Sequence, residues 1–249
     1  MFKEIGGSNL TCWERTSEKE KVKKHSVLRK FMNLSFEEKY CFTHVSGELL
    51  IPRFIEYESL PTIVCILDKE KEYRYGIRIV GKSLCQKGFR VYCFNFDEKE
   101  REVIFREKVK CIGEIIKHLK KSKYTRNIVL LGINKGAAYA EAVASKMPEL
   151  INAMIFYYPQ FDENLYDEEF QEKCYQEEKD DYTSKFRGSV MMIHGEKDKV
   201  VEVQKSEKLL ECYDNAVLNI LPRESHEFTF WGRKKAVDLC CEFIEKIMN

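Results

Sequence analysis

The sequence lacks the marks of several protein classes. No window approaches the run of roughly 20 apolar residues that a membrane-spanning helix needs, and Met1–Leu10 has no basic stretch followed by an apolar one, so neither insertion nor secretion is expected. There is no C-x-x-C pair and no histidine at ligand spacing, which argues against a zinc site despite ten cysteines. Charge of one sign is not in excess. Lysine plus arginine (42) and aspartate plus glutamate (41) nearly cancel, so no long-range field recommends nucleic acid or an anionic membrane as partner. No internal repeat or low-complexity segment is present.

What is there reads as one globular unit. At 249 residues, with 44% apolar and 33% charged side chains, the chain is long enough to bury a sizeable core and typical of single α/β domains. Cys65 and Cys93 fall inside apolar strand-like runs, where a reduced thiol packs as a small hydrophobe; a reducing cytoplasmic location is the expectation.

Residues 14–39 are rich in charge, with Val22, Val27, Leu28, Phe31, Leu34 and Phe36 at roughly helical spacing. The span 1–39 therefore reads as a helical extension packed on a body formed by 40–249. Tyr40–Val45 and Leu49–Tyr57 read as strands joined by a turn at Ser46-Gly47-Glu48. Beyond them strands alternate with helices: strands at Thr62–Leu67, Phe89–Phe96, Asn127–Gly132, Ile151–Tyr158, Ser189–His194 and Ala216–Leu221, helices at Tyr73–Lys87, Val103–Lys121, Ala137–Met147, Val201–Tyr213 and Trp231–Met248. Strands apolar on both faces, separated by amphipathic helices, imply a mostly parallel sheet covered on both sides. The acidic, aromatic stretch 161–188 interrupts this alternation and is placed as a short cap, with Phe161, Leu165, Tyr166, Phe170, Tyr175 and Tyr182 available to close over the strand ends.

Three segments carry chemistry. Gly132-Ile133-Asn134-Lys135-Gly136 follows an apolar strand and opens a helix, the spacing of a nucleophile elbow, in which glycines permit a tight turn that exposes the middle residue. His194-Gly195-Glu196-Lys197-Asp198-Lys199-Val200 puts an aspartate just after a strand. Leu221-Pro222-Arg223-Glu224-Ser225-His226-Glu227-Phe228 puts a histidine after the next one. The order is that of nucleophile, acid and base.

On these segments the chain resembles the α/β-hydrolase superfamily, in particular its small esterase, acyl-aminoacyl-peptidase-like and dienelactone-hydrolase-like serine hydrolases. The resemblance is strongest over 127–249. It implies an α/β-hydrolase fold with an N-terminal antiparallel hairpin and a short cap, and carboxyl-ester or acyl hydrolysis as the ancestral chemistry. It implies that Asp198 supports His226, that His226 is the general base, and that the Lys135 N–H donates to an oxyanion. Two positions depart from the family pattern. Asn134 stands where the family has serine, and an amide has no proton whose removal yields a usable nucleophile. Leu67-Asp68-Lys69 stands where the family has His-Gly for the second oxyanion donor, and a carboxylate at Asp68 opposes a developing oxyanion unless only its backbone is used. The leading expectation is thus an impaired hydrolase that binds a small ester or acyl ligand. The competing one is an active hydrolase working through deamidated Asn134 or through water activated by His226 and Asp198.

Simpler readings stand beside these. Gly76–Ser83 matches the G-x-x-x-x-G-K-[ST] phosphate-loop pattern, but it follows the charged segment Lys69–Tyr75 instead of an apolar strand and reads as a helix; no cofactor is assigned. Asp198 precedes a helix and suits a turn or N-cap. His194 reads as structural, beside the following turn, and His25, His44 and His118 have no partner pattern. The sequence does not indicate an oligomeric state.

Overall fold

The computed structural model describes residues 34–42, 45–52, 59–67, 78–96, 105–161 and 186–248. Eight strands form one sheet: β1 (Leu34–Phe42), β2 (Val45–Pro52), β3 (Leu60–Ile66), β4 (Arg90–Phe96), β5 (Thr125–Ile133), β6 (Ala153–Tyr157), β7 (Ser189–Gly195) and β8 (Ala216–Leu221), in the order β1-β2-β4-β3-β5-β6-β7-β8. The pairs β1/β2 and β2/β4 are antiparallel and all the others parallel. Five α-helices lie among the described residues: α1 (Arg78–Gln86), α2 (Phe105–Lys121), α3 (Gly136–Lys146), α4 (Val203–Leu210) and α5 (Phe230–Met248).

The layers follow from the period-2 alternation of side chains along a strand. In β3, Val64 and Ile66 join one apolar layer while Ile63 and Cys65 join the other; in β5, Ile128 and Leu130 oppose Val129, Leu131 and Ile133 in the same way. The first layer is closed by α2, which buries Val109, Ile112, Ile116 and Leu119 at helical spacing, and by the alanine-rich α3. Ala137, Ala138, Ala140, Ala142 and Ala144 are fully buried, so α3 lies close to the sheet along most of its length. The second layer is closed by α1 (Val80, Leu84) and α5 (Ala236, Val237, Cys240, Ile244). A parallel sheet needs this double cover because both of its faces are apolar.

Cys65, Cys85, Cys93, Cys240 and Cys241 are buried free thiols, all in the second layer. Burial pushes Cys85 up to about 12 and Cys241 to about 11, so these groups pack as neutral hydrophobes. No helix of the described residues is long and apolar enough to cross a membrane.

Two expectations change, and a third, a helix in place of a phosphate loop, holds over its described part. Leu34–Lys39 is not the end of a helix but the start of β1, paired with β2 from Leu34↔Pro52 onward. Leu34 and Phe36 fit a period of two as well as a helical stripe, and pairing with β2 decides between them. The hairpin reversal lies between Phe42 and Val45, and Ser46-Gly47-Glu48 sits within β2. There it is held on both sides, Gly47 opposite Tyr40 and Phe94, so two ladders override a turn-forming composition. Of the phosphate-loop lookalike, the described part from Arg78 is helix α1, with Val80 buried and the Ser83 hydroxyl donating to the Ile79 carbonyl at 2.9 Å. Residues 1–33 of the N-terminal extension, 162–185 of the cap and the first part of the Tyr73–Lys87 helix lie outside the described residues.

One buried acid in this frame has a measurable consequence. Glu141 on α3 is wholly enclosed; it accepts from the Tyr213 hydroxyl at 2.5 Å and the Ser145 hydroxyl at 3.0 Å. Burial raises its pKa from 4.5 to about 7, against the opposing effect of both hydrogen bonds. The folded state therefore binds the proton more tightly than the unfolded chain, and stability falls as pH rises from 4.5 to about 7. Glu141→Gln is expected to flatten that fall, seen as a smaller loss of Tm between acid and neutral pH in thermal melts. An unchanged slope would show that Glu141 does not carry it.

Candidate active site

The elbow between β5 and α3 is built by close approach. A Cβ on Gly136 would sit 2.0 Å from the Ile66 carbonyl oxygen at the end of β3, and one on Gly132 would sit 2.5 Å from the Ala137 Cα. Only glycine fits either place, which is why the helix can start immediately beside the strand ends. Between them Asn134 adopts φ 54°, the left-handed region that asparagine enters more readily than most side chains. Its N–H donates to the Tyr157 carbonyl at 3.0 Å, and its carbonyl accepts from Ala137 at 3.1 Å and Gln160 at 3.1 Å. Lys135 follows at the N-cap of α3, where first-turn N–H groups have no acceptor within the helix. Asp68, the other candidate oxyanion position, lies outside the described residues.

The acid and the base meet. His226 Nδ1 lies 2.8 Å from Asp198 Oδ2, with the imidazole side chain 15% exposed and the carboxylate fully enclosed. The other carboxylate oxygen, Oδ1, accepts from the N–H groups of Val200 (2.8 Å) and Val201 (2.9 Å). Asp198 is therefore both the turn residue and the partner of the histidine, one oxygen for each task. Burial alone raises its pKa, but the hydrogen bonds from Val201, His226 and Val200 outweigh burial and hold the carboxyl below its ordinary value. The stability this contributes is complete above the unfolded carboxyl pKa and is lost as pH falls through the folded one. An ionised Asp198 accepts from Nδ1–H, which leaves the lone pair of a neutral His226 on Nε2, the tautomer of a general base.

Two loops join this pair to the elbow. Tyr158 follows β6 with φ 36°, donates its N–H to the Ile193 carbonyl at 2.9 Å, and lays its ring 4.4 Å from the His226 ring, centroid to centroid. Phe228, also at positive φ, packs edge-on to Tyr158 at 5.1 Å. Tyr157, which accepts from the Asn134 N–H, and Tyr158, whose ring supports His226, are consecutive residues, so one segment touches both the elbow and the base. Strained backbone of this kind gathers at functional sites. The site residues thus share the carboxyl ends of the parallel strands, where ligands bind in open α/β sheets.

Sequence reading assigned nothing to Tyr158, and it placed His194 beside the following turn. His194 is fully buried. Its Nε2 lies 2.9 Å from the Val201 carbonyl and 3.2 Å from Asp198 Oδ2, and its Nδ1 2.7 Å from the Ser206 hydroxyl. A carbonyl only accepts, so Nε2 carries the proton and Nδ1 of the neutral ring accepts from Ser206. The histidine two residues before Glu-Lys-Asp thus braces the turn that holds Asp198; its position at the end of β7, four residues before an aspartate, was the available signal. His194→Ala is expected to cost about 1–3 kcal/mol in urea unfolding, because it leaves the buried Ser206 hydroxyl and Val201 carbonyl without this partner. A change within error would mean that other groups satisfy them. Among the described residues no cluster of three or more histidine, cysteine, aspartate or glutamate side chains is placed to hold a metal.

Comparison with known structures gives the same fold. The chain is similar to Est1E from Butyrivibrio proteoclasticus (16% identity, TM-score 0.70, covering 86% of this chain and 99% of that one), a protein also solved with ferulic acid bound. It is similar to dienelactone hydrolase from Anabaena variabilis (16%, TM-score 0.65, 84% and 98%) and to the esterase domain of a Rhodothermus marinus protein (12%, TM-score 0.66, 85% and 99%). At these identities the likeness is one of fold. No curated protein matches in sequence. The family model described as serine hydrolase (FSH1) matches residues 61–227, well over half of the chain and a span that includes the elbow, Asp198 and His226. The chain belongs to the serine hydrolase (FSH1) family.

Proposed function

We propose that this protein is a hydrolase-fold binder of a small ester or acyl ligand, with its acid–base pair retained and its nucleophile absent. The observation that carries the reading is Asn134 at φ 54° on the elbow, the place of the attacking serine in the family pattern, while Asp198 and His226 keep a 2.8 Å hydrogen bond. An amide cannot pass a proton to His226 and become a competent attacker, so the acyl-enzyme step has no starting point. The pairing costs nothing in binding: the backbone N–H groups at the start of α3 and the Tyr158 ring do not depend on a serine for their placement. That a protein of similar fold holds ferulic acid supports a small carboxylic or acyl compound as the class of ligand.

The test compares the protein, Asn134→Ser and His226→Ala on short p-nitrophenyl esters, with ferulic acid as a binding probe followed by the ring-proton signals of His226. The expected result is an inert parent that binds the probe. Turnover by the parent that disappears in His226→Ala would overturn the reading and establish a working enzyme; inertness together with absence of binding would remove the ligand role.

A further inference from the structure

We infer that Ser206 and His194 are positioning residues for the base of the site, a buried hydrogen-bonded chain through which helix α4 orients Asp198 towards His226. The inference takes from the proposed function only that His226 is the base. Of the eight residues of α4, Ser206 alone is fully buried, while Val203, Leu209 and Leu210 are half-buried. A helix that does no more than cover a sheet encloses an apolar stripe, yet here the enclosed group is a hydroxyl. Its Oγ lies 2.7 Å from Nδ1 of His194, whose ring is also shut off from solvent. On the far side of that ring Nε2 lies 2.9 Å from the Val201 carbonyl and 3.2 Å from Asp198 Oδ2, the oxygen that His226 Nδ1 meets at 2.8 Å. One carboxylate oxygen thus stands between two imidazoles, one partly open to solvent and one enclosed.

The chain has one polarity. A carbonyl and a carboxylate only accept, so His194 Nε2 carries the proton; the neutral ring then presents a lone pair at Nδ1, which the Ser206 hydroxyl satisfies as donor. Val201 is held at both ends, its carbonyl by His194 and its N–H by Asp198 Oδ1 at 2.9 Å. With Oδ1 pinned by the N–H groups of Val200 and Val201, the tilt of the carboxylate is decided at Oδ2, where His194 Nε2–H and His226 Nδ1–H are in place. The space beneath the turn alone would be filled as well by an apolar side chain, without the requirement that two enclosed polar groups find partners. The serine and the two acceptors leave His194 one tautomer, and that tautomer fixes where Oδ2 points.

The test compares three variants, each first with Asn134 in place. His194→Met is similar in reach but has no donor, His194→Gln keeps an N–H near the Nε2 position, and Ser206→Ala removes the hydroxyl behind the ring. Thermal melts establish which of them fold. Nitrogen-15 and low-field proton NMR of the His226 ring supply a signature that a purely supporting role would not move. The parent is expected to show the Nδ1–H form with a low-field Nδ1 proton. His194→Met is expected to lose that proton signal, His194→Gln to keep it, and Ser206→Ala to displace it upfield. In the Asn134→Ser background, kcat on p-nitrophenyl acetate is expected to fall about tenfold with His194→Met and about threefold with Ser206→Ala. KM is expected to stay unchanged, and His194→Gln to recover most of the rate that His194→Met loses. A folded His194→Met with the His226 signals of the parent would overturn the inference, as would equal loss of the signal in His194→Met and His194→Gln. If His194→Met does not fold, unchanged His226 signals in Ser206→Ala overturn it. An Asn134→Ser protein without turnover counts against the proposed function alone, because the ring signals are read without that change.

Discussion

Asn134→Ser is expected to raise kcat/KM for p-nitrophenyl acetate on the order of 10³-fold over the parent and to accumulate an acyl adduct on residue 134, visible as added mass on the intact protein. Removing the nucleophile from serine proteases costs roughly 10⁶-fold. The smaller gain allows for the second oxyanion donor, which the resemblance leads one to expect at Asp68 and which this substitution does not alter. Two of the things a serine needs, the turn and the acid–base pair, are held without it. The backbone at 134 is held by the two elbow glycines and by hydrogen bonds to Tyr157 and Gln160, none of which involves the side chain. An ionised Asp198 accepts the hydrogen bond of Nδ1–H, which puts the lone pair of a neutral His226 on Nε2. A serine variant that melts like the parent yet never carries the adduct would show that more than the nucleophile is missing, and that the site has lost its acid–base geometry as well.

In that serine background, Asp198→Asn is expected to remove nearly all of the recovered turnover, on the order of the 10³-fold gained, while leaving the protein folded. The argument lies in the two carboxylate oxygens. Oδ1 is committed to the N–H groups of Val200 and Val201, so an asparagine must put its carbonyl there and its NH₂ in place of Oδ2. That NH₂ then faces the proton on His226 Nδ1 and the proton on His194 Nε2, donor against donor. His226 escapes only by moving its proton to Nε2, which destroys the base. The variant should therefore show the Nε2–H tautomer by nitrogen-15 NMR together with the loss of rate. Retained activity with an unchanged tautomer would mean that Asp198 is only a turn residue.

Much of the fold was readable because strands of this sheet are apolar on both faces and its helices on one. The strand at Ala216–Leu221 and the α2 and α5 helices fall within two residues of their expected bounds, since nothing competes with their pattern. Failures came where two periods coincide or where a ladder outweighs composition: Leu34 and Phe36 suit both a helix and a strand, and Gly47 sits between two paired neighbours. At the site, the meeting of Asp198 with His226 followed from their places after consecutive strands of the order. The aromatic support by Tyr158 and the bracing by His194 did not, because they depend on which loop crosses which and on a positive φ that no residue pattern announces. The sequence places Trp231 at the start of the last helix and assigns nothing to Phe230, and only the packing of α5 shows that both are exposed.

The left-handed backbone at residue 134 has a bearing on how such a protein arises and reverts. Any occupant of that corner is screened first for tolerance of φ 54° and only then for reactivity. Asparagine passes the first screen at no expense to the architecture, and its codons differ from two serine codons by a single base. On the proposed reading, presence and absence of the attacking group are therefore separated by one mutational step at a corner whose backbone is set by the turn.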